Sequence, residues 1–85
     1  MFPRMRTERT LSARGRQVVR SAVARAVRDL VKGGEAAETL ATRFGVTERT
    51  IENWVEGSVF PSFSQAVRVA PLVDVDPETG KRGAA

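Results

Sequence analysis

The chain has 85 residues, of which 41% are hydrophobic and 28% charged, with a formal net charge of +4 and a pI of about 11.0. A chain of this length forms one domain with a modest core, because it buries about two-thirds of its unfolded surface or slightly less, and a deep catalytic cleft is not expected. It contains no cysteine and no histidine, which excludes disulfides, thiolate nucleophiles, imidazole bases and the usual zinc ligands.

Catalysis and metal binding find little support in the rest of the sequence. The segment DVDPE (residues 74–78) lacks the glycine and the distant glutamate that an EF-hand loop requires. We therefore expect no enzymatic activity, no cofactor and no metal. The apolar runs are only a few residues long, far below the about 20 needed for a membrane span, and no secretory signal is visible. We expect no membrane association and a location in the bacterial cytoplasm or nucleoid.

The positive charge is concentrated at the front of the chain. Residues 1–32 hold nine basic residues against two acidic ones, residues 33–62 hold two against five, and residues 63–85 are balanced. A basic segment of this kind is typical of proteins that bind polyanions. Residues 1–10 (MFPRMRTERT) show no apolar periodicity and include Pro3, so we predict a flexible basic arm there.

Apolar periodicity predicts a long first helix from about Ser12 to Val31, which ends at the Gly33-Gly34 pair. Its apolar stripe has the helical spacing of three and four and comprises Val18, Val19, Ala22, Val23, Ala26, Val27, Leu30 and Val31. A second helix is predicted over residues 35–44, with early glutamates that favour the helix dipole. Gly45 is expected to end it.

A third helix is predicted over residues 48–56, between the N-cap Thr47 and Gly57. One side of it is expected to face the core, because four residues at spacings of three and four share that side: Thr47, Ile51, Trp54 and Val55. The other side carries hydrogen-bonding groups: Glu48, Arg49, Glu52, Asn53 and Glu56. The only tryptophan is thus expected to pack in the core while its polar neighbours face outward.

A fourth helix is predicted after a capping-box pattern formed by Ser62 and Gln65. Its apolar positions are Phe63, Ala66, Val67 and Ala70. Pro71 is expected to bend or end this helix, and residues 76–85 have the composition of a polar tail. The predicted fold is all-α: a compact bundle of four helices with a long first helix, with a fifth helix left open, and with residues 11–75 as the folded domain.

The second and third helices are joined by a short turn in LATRFGVTERTIENW (residues 40–54). A turn of three to four residues that contains glycine is typical of a helix-turn-helix. Gly45 can adopt the left-handed conformation that reverses the chain, and Ala41 is small enough for a close helix crossing. We therefore predict a helix-turn-helix core at residues 36–56. A generic helical hairpin is the alternative interpretation.

These residues resemble the lambda-repressor-like family, the Cro/CI or XRE class of helix-turn-helix DNA-binding domains. The matching positions are Leu40, Ala41, Phe44, Gly45, Val46, Ile51 and Trp54, followed by Gly57, Pro61 and a helix that begins after Ser62. The similarity covers roughly residues 20–75. The resemblance implies a phage-like or bacterial transcription regulator whose third helix reads the major groove of double-stranded DNA.

Carried over position by position, the resemblance assigns base reading to Glu48, Arg49 and Asn53. The chemistry is suitable, since arginine can bond guanine, asparagine can bond adenine, and glutamate can accept from the amino group of cytosine. Further candidates for a base or phosphate contact are Thr47, Glu52, Arg43 and Ser58. Contacts with phosphates or the minor groove are expected from the arm and the first helix, through Arg4, Arg6, Arg9, Arg14, Arg16 and Arg20.

The chain departs from the family at Ala37 and Glu56, where members often carry glutamine and asparagine for phosphate contacts. Five glutamates in residues 33–62 would repel a phosphate backbone, and the basic front is expected to offset this repulsion. Pro71 and the polar tail replace the family's fifth helix, a common dimer surface, so a homodimer is left open. The alternative function is a helical protein-interaction module of a transcription complex, which docks on RNA polymerase or another regulator through the acidic face of the third helix.

Overall fold

The computed structural model describes residues 12–83, which form four α-helices and one short 3-10 helix. The α-helices are α1 (Ala13–Lys32), α2 (Ala37–Phe44), α3 (Glu48–Glu56) and α4 (Phe63–Val69), and the 3-10 helix covers Ala70–Val73. The expected all-α fold class is confirmed. None of these helices combines the length and the apolar character that crossing a membrane would require. The predicted arm at residues 1–10 lies outside the described part of the chain.

The long helix α1 supplies one wall of the core and contacts both α3 and α4. Ser12 caps it, since its hydroxyl accepts a hydrogen bond from the Gly15 N–H at 3.0 Å. The predicted stripe is buried at Val19, Val23, Ala26 and Val27 and partly buried at Ala22, Leu30 and Val31. Ala24, which the stripe does not include, is also buried. Because α1 packs against two helices, it buries a wider arc than one apolar stripe.

Val18 is the exception in the predicted stripe, because its side chain is 45% exposed on the outer side of α1. The inward-facing stripe is set by Val19 and Val23, and Val18 lies 100° from Val19 around a helix of 3.6 residues per turn. The prediction that Val18 packs in the core is therefore wrong.

The boundaries of α3 match the predicted residues 48–56. The Thr47 hydroxyl accepts from the Thr50 N–H at 3.1 Å, and Gly57 ends the helix in the left-handed conformation with φ 84°. Ile51 and Trp54 are buried as predicted. Thr47 is exposed, so the expectation that its side chain faces the core is wrong. Capping explains the difference, because the hydroxyl must lie at the open end of the helix to reach the backbone.

The capping box at the start of α4 is confirmed. The Ser62 hydroxyl accepts from the Gln65 N–H at 3.2 Å, and the Gln65 side-chain oxygen accepts from the Ser62 N–H at 2.9 Å. The buried positions are Ala66, Val69 and Ala70, whereas Val67, expected in the stripe, is 36% exposed. Both patterns have helical spacing, and packing against α1 selects the one that contains Val69. The chain tightens into the 3-10 helix at Ala70, and Pro71 is the second residue of this helix.

Residues 74–83 fold back against α1 and do not extend as a free tail. Asp74 reverses the chain at φ 59°, and Val75 is buried and forms an isolated antiparallel bridge with Arg82. The Arg82 guanidinium then donates to the Asp29 carboxylate at 3.2 Å. We call residues 74–83 the C-terminal turn. Most of its side chains are polar, as the sequence indicates, but the buried Val75 and several backbone hydrogen bonds hold it in place.

We expect Gly80→Ala to destabilise the fold through the contact between the C-terminal turn and α1. Gly80 has φ 77°, and a Cβ there would lie 2.8 Å from Cγ1 of Val18. Left-handed backbone costs a non-glycine residue about 1–2 kcal/mol, and relief of the clash adds to this loss. Urea unfolding followed by circular dichroism measures the change.

Gly45→Ala is the matched control, since Gly45 has φ 74° but a Cβ there would meet no atom within 4 Å. Val18→Ala, which removes the clashing methyl group, should recover part of the additional loss in the Gly80→Ala chain. Equal losses in Gly80→Ala and Gly45→Ala would contradict close packing of the turn against Val18.

Candidate nucleic-acid interface

The relative orientation of α2 and α3 is set by the turn between them. Gly45 adopts φ 74° and ψ 32°, and its N–H bonds to the Ala41 carbonyl, as does the Val46 N–H at 3.0 Å. Four buried side chains from the two helices fill the angle that this turn creates: Leu40, Phe44, Ile51 and Trp54. Val46 is partly buried against the same cluster. The corner at residues 44–47 is thus bent and packed from inside.

The outward face of α3 carries the predicted base-reading side chains. Glu48, Arg49 and Glu52 are exposed, and within residues 12–83 their side chains make no hydrogen bond or ion pair. The opposite face is fixed by the burial of Ile51 and Trp54. The guanidinium of Arg49 therefore projects away from the core with its donors available to a ligand.

Asn53, the third predicted base reader, lies at the edge of this face and is half-buried. Its backbone carbonyl accepts from the N–H groups of Gly57 at 3.0 Å, Ser58 at 3.2 Å and Val59 at 3.4 Å. The Ser58 hydroxyl, itself a candidate contact, also points to this carbonyl at 3.4 Å. The backbone of Asn53 thus orders the loop after α3, while its side-chain amide has no hydrogen-bond partner in the described part of the chain.

The other candidate contacts near the corner are Arg43 and Thr47. Arg43, in the last turn of α2, forms an ion pair with Glu35 at 3.9 Å, and both side chains are more than 40% exposed. An exposed pair at that distance contributes little free energy, so Arg43 can exchange Glu35 for another anion. The Thr47 hydroxyl is engaged in capping and lies 2.9 Å from the Thr50 hydroxyl.

Two of the candidate arginines in the first helix pack within the protein. Arg20 is half-buried, and its Nε donates to the carbonyl of buried Pro61 at 2.7 Å. Arg16 lies over the ring of Phe63, with 6.0 Å from the guanidinium carbon to the ring centroid. Both side chains connect α1 to the segment around the start of α4. Arg14 is exposed and makes no such contact within residues 12–83. The arm candidates Arg4, Arg6 and Arg9 lie outside the described residues.

The structure adds Arg25 and Arg28, which the sequence-based selection of candidates does not include. Both line a groove of about 260 Å³ between α1 and the end of α3, together with Ser21, Ala24, Trp54, Gly57 and Phe60. Periodicity places the two arginines on the side of α1 away from the main stripe. The crossing of α1 and α3 brings them beside Gly57, and sequence patterns do not specify that crossing.

Comparisons of the chain with protein-family models, with curated proteins and with solved structures return no match. The geometry itself defines a small all-α domain with a glycine-hinged corner. One exposed polar helix face lies on one side of this corner, and an arginine-lined groove lies at the end of that helix.

We expect Arg20→Ala to lower the free energy of unfolding by about 1–2 kcal/mol, because it leaves the Pro61 carbonyl without this charged donor. Arg14→Ala, on the exposed side of the same helix, is the control and should change stability by less than about 0.5 kcal/mol. Chemical denaturation of both variants measures the difference. Equal stability of the two variants would show that the hydrogen bond from Arg20 to Pro61 does not support the fold.

Proposed function

We propose that this protein binds double-stranded DNA in a sequence-specific manner and regulates transcription, with α3 in the major groove. The observation that carries the proposal is the exposed face of α3, where Glu48 and Arg49 project without partners in the described residues and Asn53 lies at the edge. The buried Ile51 and Trp54 hold that face in one orientation. The resemblance of residues 40–54 to helix-turn-helix regulators supports the same function.

The dimensions and chemistry of α3 suit this role. An α-helix with its side chains is about 10–12 Å wide, and the major groove of B-DNA is about 12 Å wide. Glu48 and Arg49 lie in the first turn of α3, and the first turns of a recognition helix are the part that reaches base edges. Arg49 would bond the O6 and N7 atoms of guanine, Asn53 would bond adenine, and Glu48 would accept from the amino group of cytosine.

Attraction to DNA would come mainly from residues outside α3. The α3 segment carries three glutamates and one arginine, whereas residues 12–83 as a whole carry eleven basic and nine acidic side chains. Phosphate contacts position a protein on DNA, and base contacts select the sequence. In this proposal, arginines of α1 and of residues 1–11 supply the phosphate contacts, and α3 supplies the base contacts. About six neutralised phosphates would give a slope of log K against log salt near −5.

A second candidate function is a protein-interaction module that docks on RNA polymerase or another regulator. The observation that favours it is the acidic stripe, defined as Glu48, Glu52 and Glu56, which lie at successive i+4 positions and are all exposed. None of the three is neutralised by a cation within residues 12–83. A basic protein surface would be complementary to this stripe.

The double substitution Arg49→Ala and Asn53→Ala tests the proposed function. We expect the fold to survive, because neither side chain bonds to another described residue. Selectivity for the preferred sequence should fall by about 1–3 kcal/mol for each lost bidentate contact. The preferred sequence is first selected from random duplexes with the unmodified protein, and fluorescence anisotropy then compares both proteins on it. Arg68→Ala, at an exposed position of α4, is the control. Unchanged selectivity in the double variant would refute base reading by this face.

Glu52→Gln distinguishes the two candidate functions. If α3 lies against DNA, removing this carboxylate lowers repulsion of phosphates and should tighten binding to random duplex a few-fold at low salt. If the acidic stripe docks on a basic protein, the same change should weaken capture of RNA polymerase and leave DNA binding unaffected. Titrations of both ligands, with Glu78→Gln in the C-terminal turn as a charge-matched control, measure the effect.

A further inference from the structure

The groove between α1 and the end of α3 contains two arginines that the fold does not use. Arg25 is exposed and Arg28 is half-buried, and neither guanidinium forms a hydrogen bond or ion pair with another residue in the range 12–83. Asp29, the acid next to them in the sequence, is instead paired with Arg82 at 3.2 Å. By contrast, Arg20 on the same helix bonds to Pro61. A contact within the protein thus explains the presence of an arginine at position 20, whereas no such contact explains Arg25 and Arg28.

Arg25 and Arg28 lie three residues apart on α1, so their side chains leave the helix from neighbouring turns on the same face. Both side chains therefore line the same groove. The opposite wall is formed by Trp54 and Gly57, the last turn of α3 and the residue that ends it, and by Phe60. Phe60 is 37% exposed at the rim. The groove therefore offers two cationic forks and one exposed apolar ring, that of Phe60, next to the end of the helix proposed to read DNA.

We propose that Arg25 and Arg28 form a phosphate clamp, which holds the DNA backbone where it passes the C-terminal end of α3. This inference rests on the proposed function. Nine residues make α3 about 13 Å long, which exceeds the depth of the major groove of about 8.5 Å, and a sugar-phosphate strand runs along each edge of the groove. A helix that enters the groove with its first turn toward the bases therefore has its last turn nearer the edge of the groove, where one strand of the backbone runs.

Charge determines which residues can meet that strand. The last two turns of α3 present Glu52 and Glu56, which repel phosphate, and α3 has no basic residue in its last turn. Arg25 and Arg28 are the basic residues that line the adjoining groove. Guanidinium groups bind phosphate oxygens through two parallel hydrogen bonds, and deoxyribose offers apolar surface to a ring such as that of Phe60. The occupant that fits this groove is therefore one strand of the duplex backbone.

The clamp has a distinct thermodynamic signature, because phosphate contacts carry no sequence information. The double variant Arg25→Ala with Arg28→Ala should bind the selected duplex and a random duplex more weakly by the same factor. Its slope of log K against log salt should be smaller in magnitude by about 1.8, or 0.9 for each lost phosphate contact. The ratio of specific to random affinity should not change.

The matched control is Arg68→Ala with Lys81→Ala, which removes two charges from exposed positions that do not line the groove. The variant Arg25→Lys with Arg28→Lys keeps both charges and loses the planar forks, so it should retain most of the slope and bind less tightly. Thermal unfolding followed by circular dichroism verifies that all variants are folded.

Two results would overturn the clamp. One is a salt slope in the alanine variant equal to that of the control, which would assign the groove to another partner such as an acidic protein segment. The other is a fall in the ratio of specific to random affinity, which would indicate base contacts. Failure of the unmodified protein to bind any duplex would refute the proposed function itself, so the two failures are distinguishable.

Discussion

The orientation of the candidate interface depends on one backbone conformation, the left-handed turn at Gly45. The turn ends α2 at Phe44 and allows α3 to begin at Glu48 at a fixed angle. An L-residue with a Cβ would be strained in this conformation, whereas glycine is not. The burial of Ile51 and Trp54 then fixes the rotation of α3 about its own axis. Together the turn and the two buried side chains decide which side chains of α3 point outward.

Local signals in the sequence predicted much of this arrangement. The caps Thr47 and Ser62 mark the starts of α3 and α4, and glycines mark the ends of α2 and α3, because caps and left-handed glycines depend on residues close in the chain. The burial of Ile51 and Trp54 follows from helical spacing in the same way. Because Ile51 and Trp54 face the core, Glu48 and Arg49 on the opposite side of the helix face outward.

Features that depend on contacts between distant segments were not predictable in the same way. Val18 and Val67 belong to apolar stripes of acceptable spacing, yet both are exposed, whereas Val69, which lies outside the predicted stripe of α4, is fully buried. The groove that contains Arg25 and Arg28 exists only because α1 crosses α3. The C-terminal turn was also missed, since its contacts use backbone groups, which any residue possesses.

The arginines of this chain divide into groups that composition cannot separate. Arg20 donates to a buried carbonyl and Arg82 pairs with Asp29 at the surface, so both already have partners within the protein. Arg49, Arg25 and Arg28 have no such partners within residues 12–83. A net charge of +4 therefore understates how much cationic surface is available locally, because cations and acids are not evenly mixed over the surface.

The loop between α3 and α4 is held by hydrogen bonds at both ends. The Asn53 carbonyl holds its first residues, and at its other end the carbonyl of fully buried Pro61 accepts from Arg20. Val59, whose N–H donates the last of the bonds to the Asn53 carbonyl, and Phe60, which lies between the two attachments, have exposed side chains on this short segment. A molecule that docks against Phe60 would therefore meet a segment whose backbone is already hydrogen-bonded on both sides, and association there would carry a smaller entropic penalty for ordering the protein than docking on a free loop.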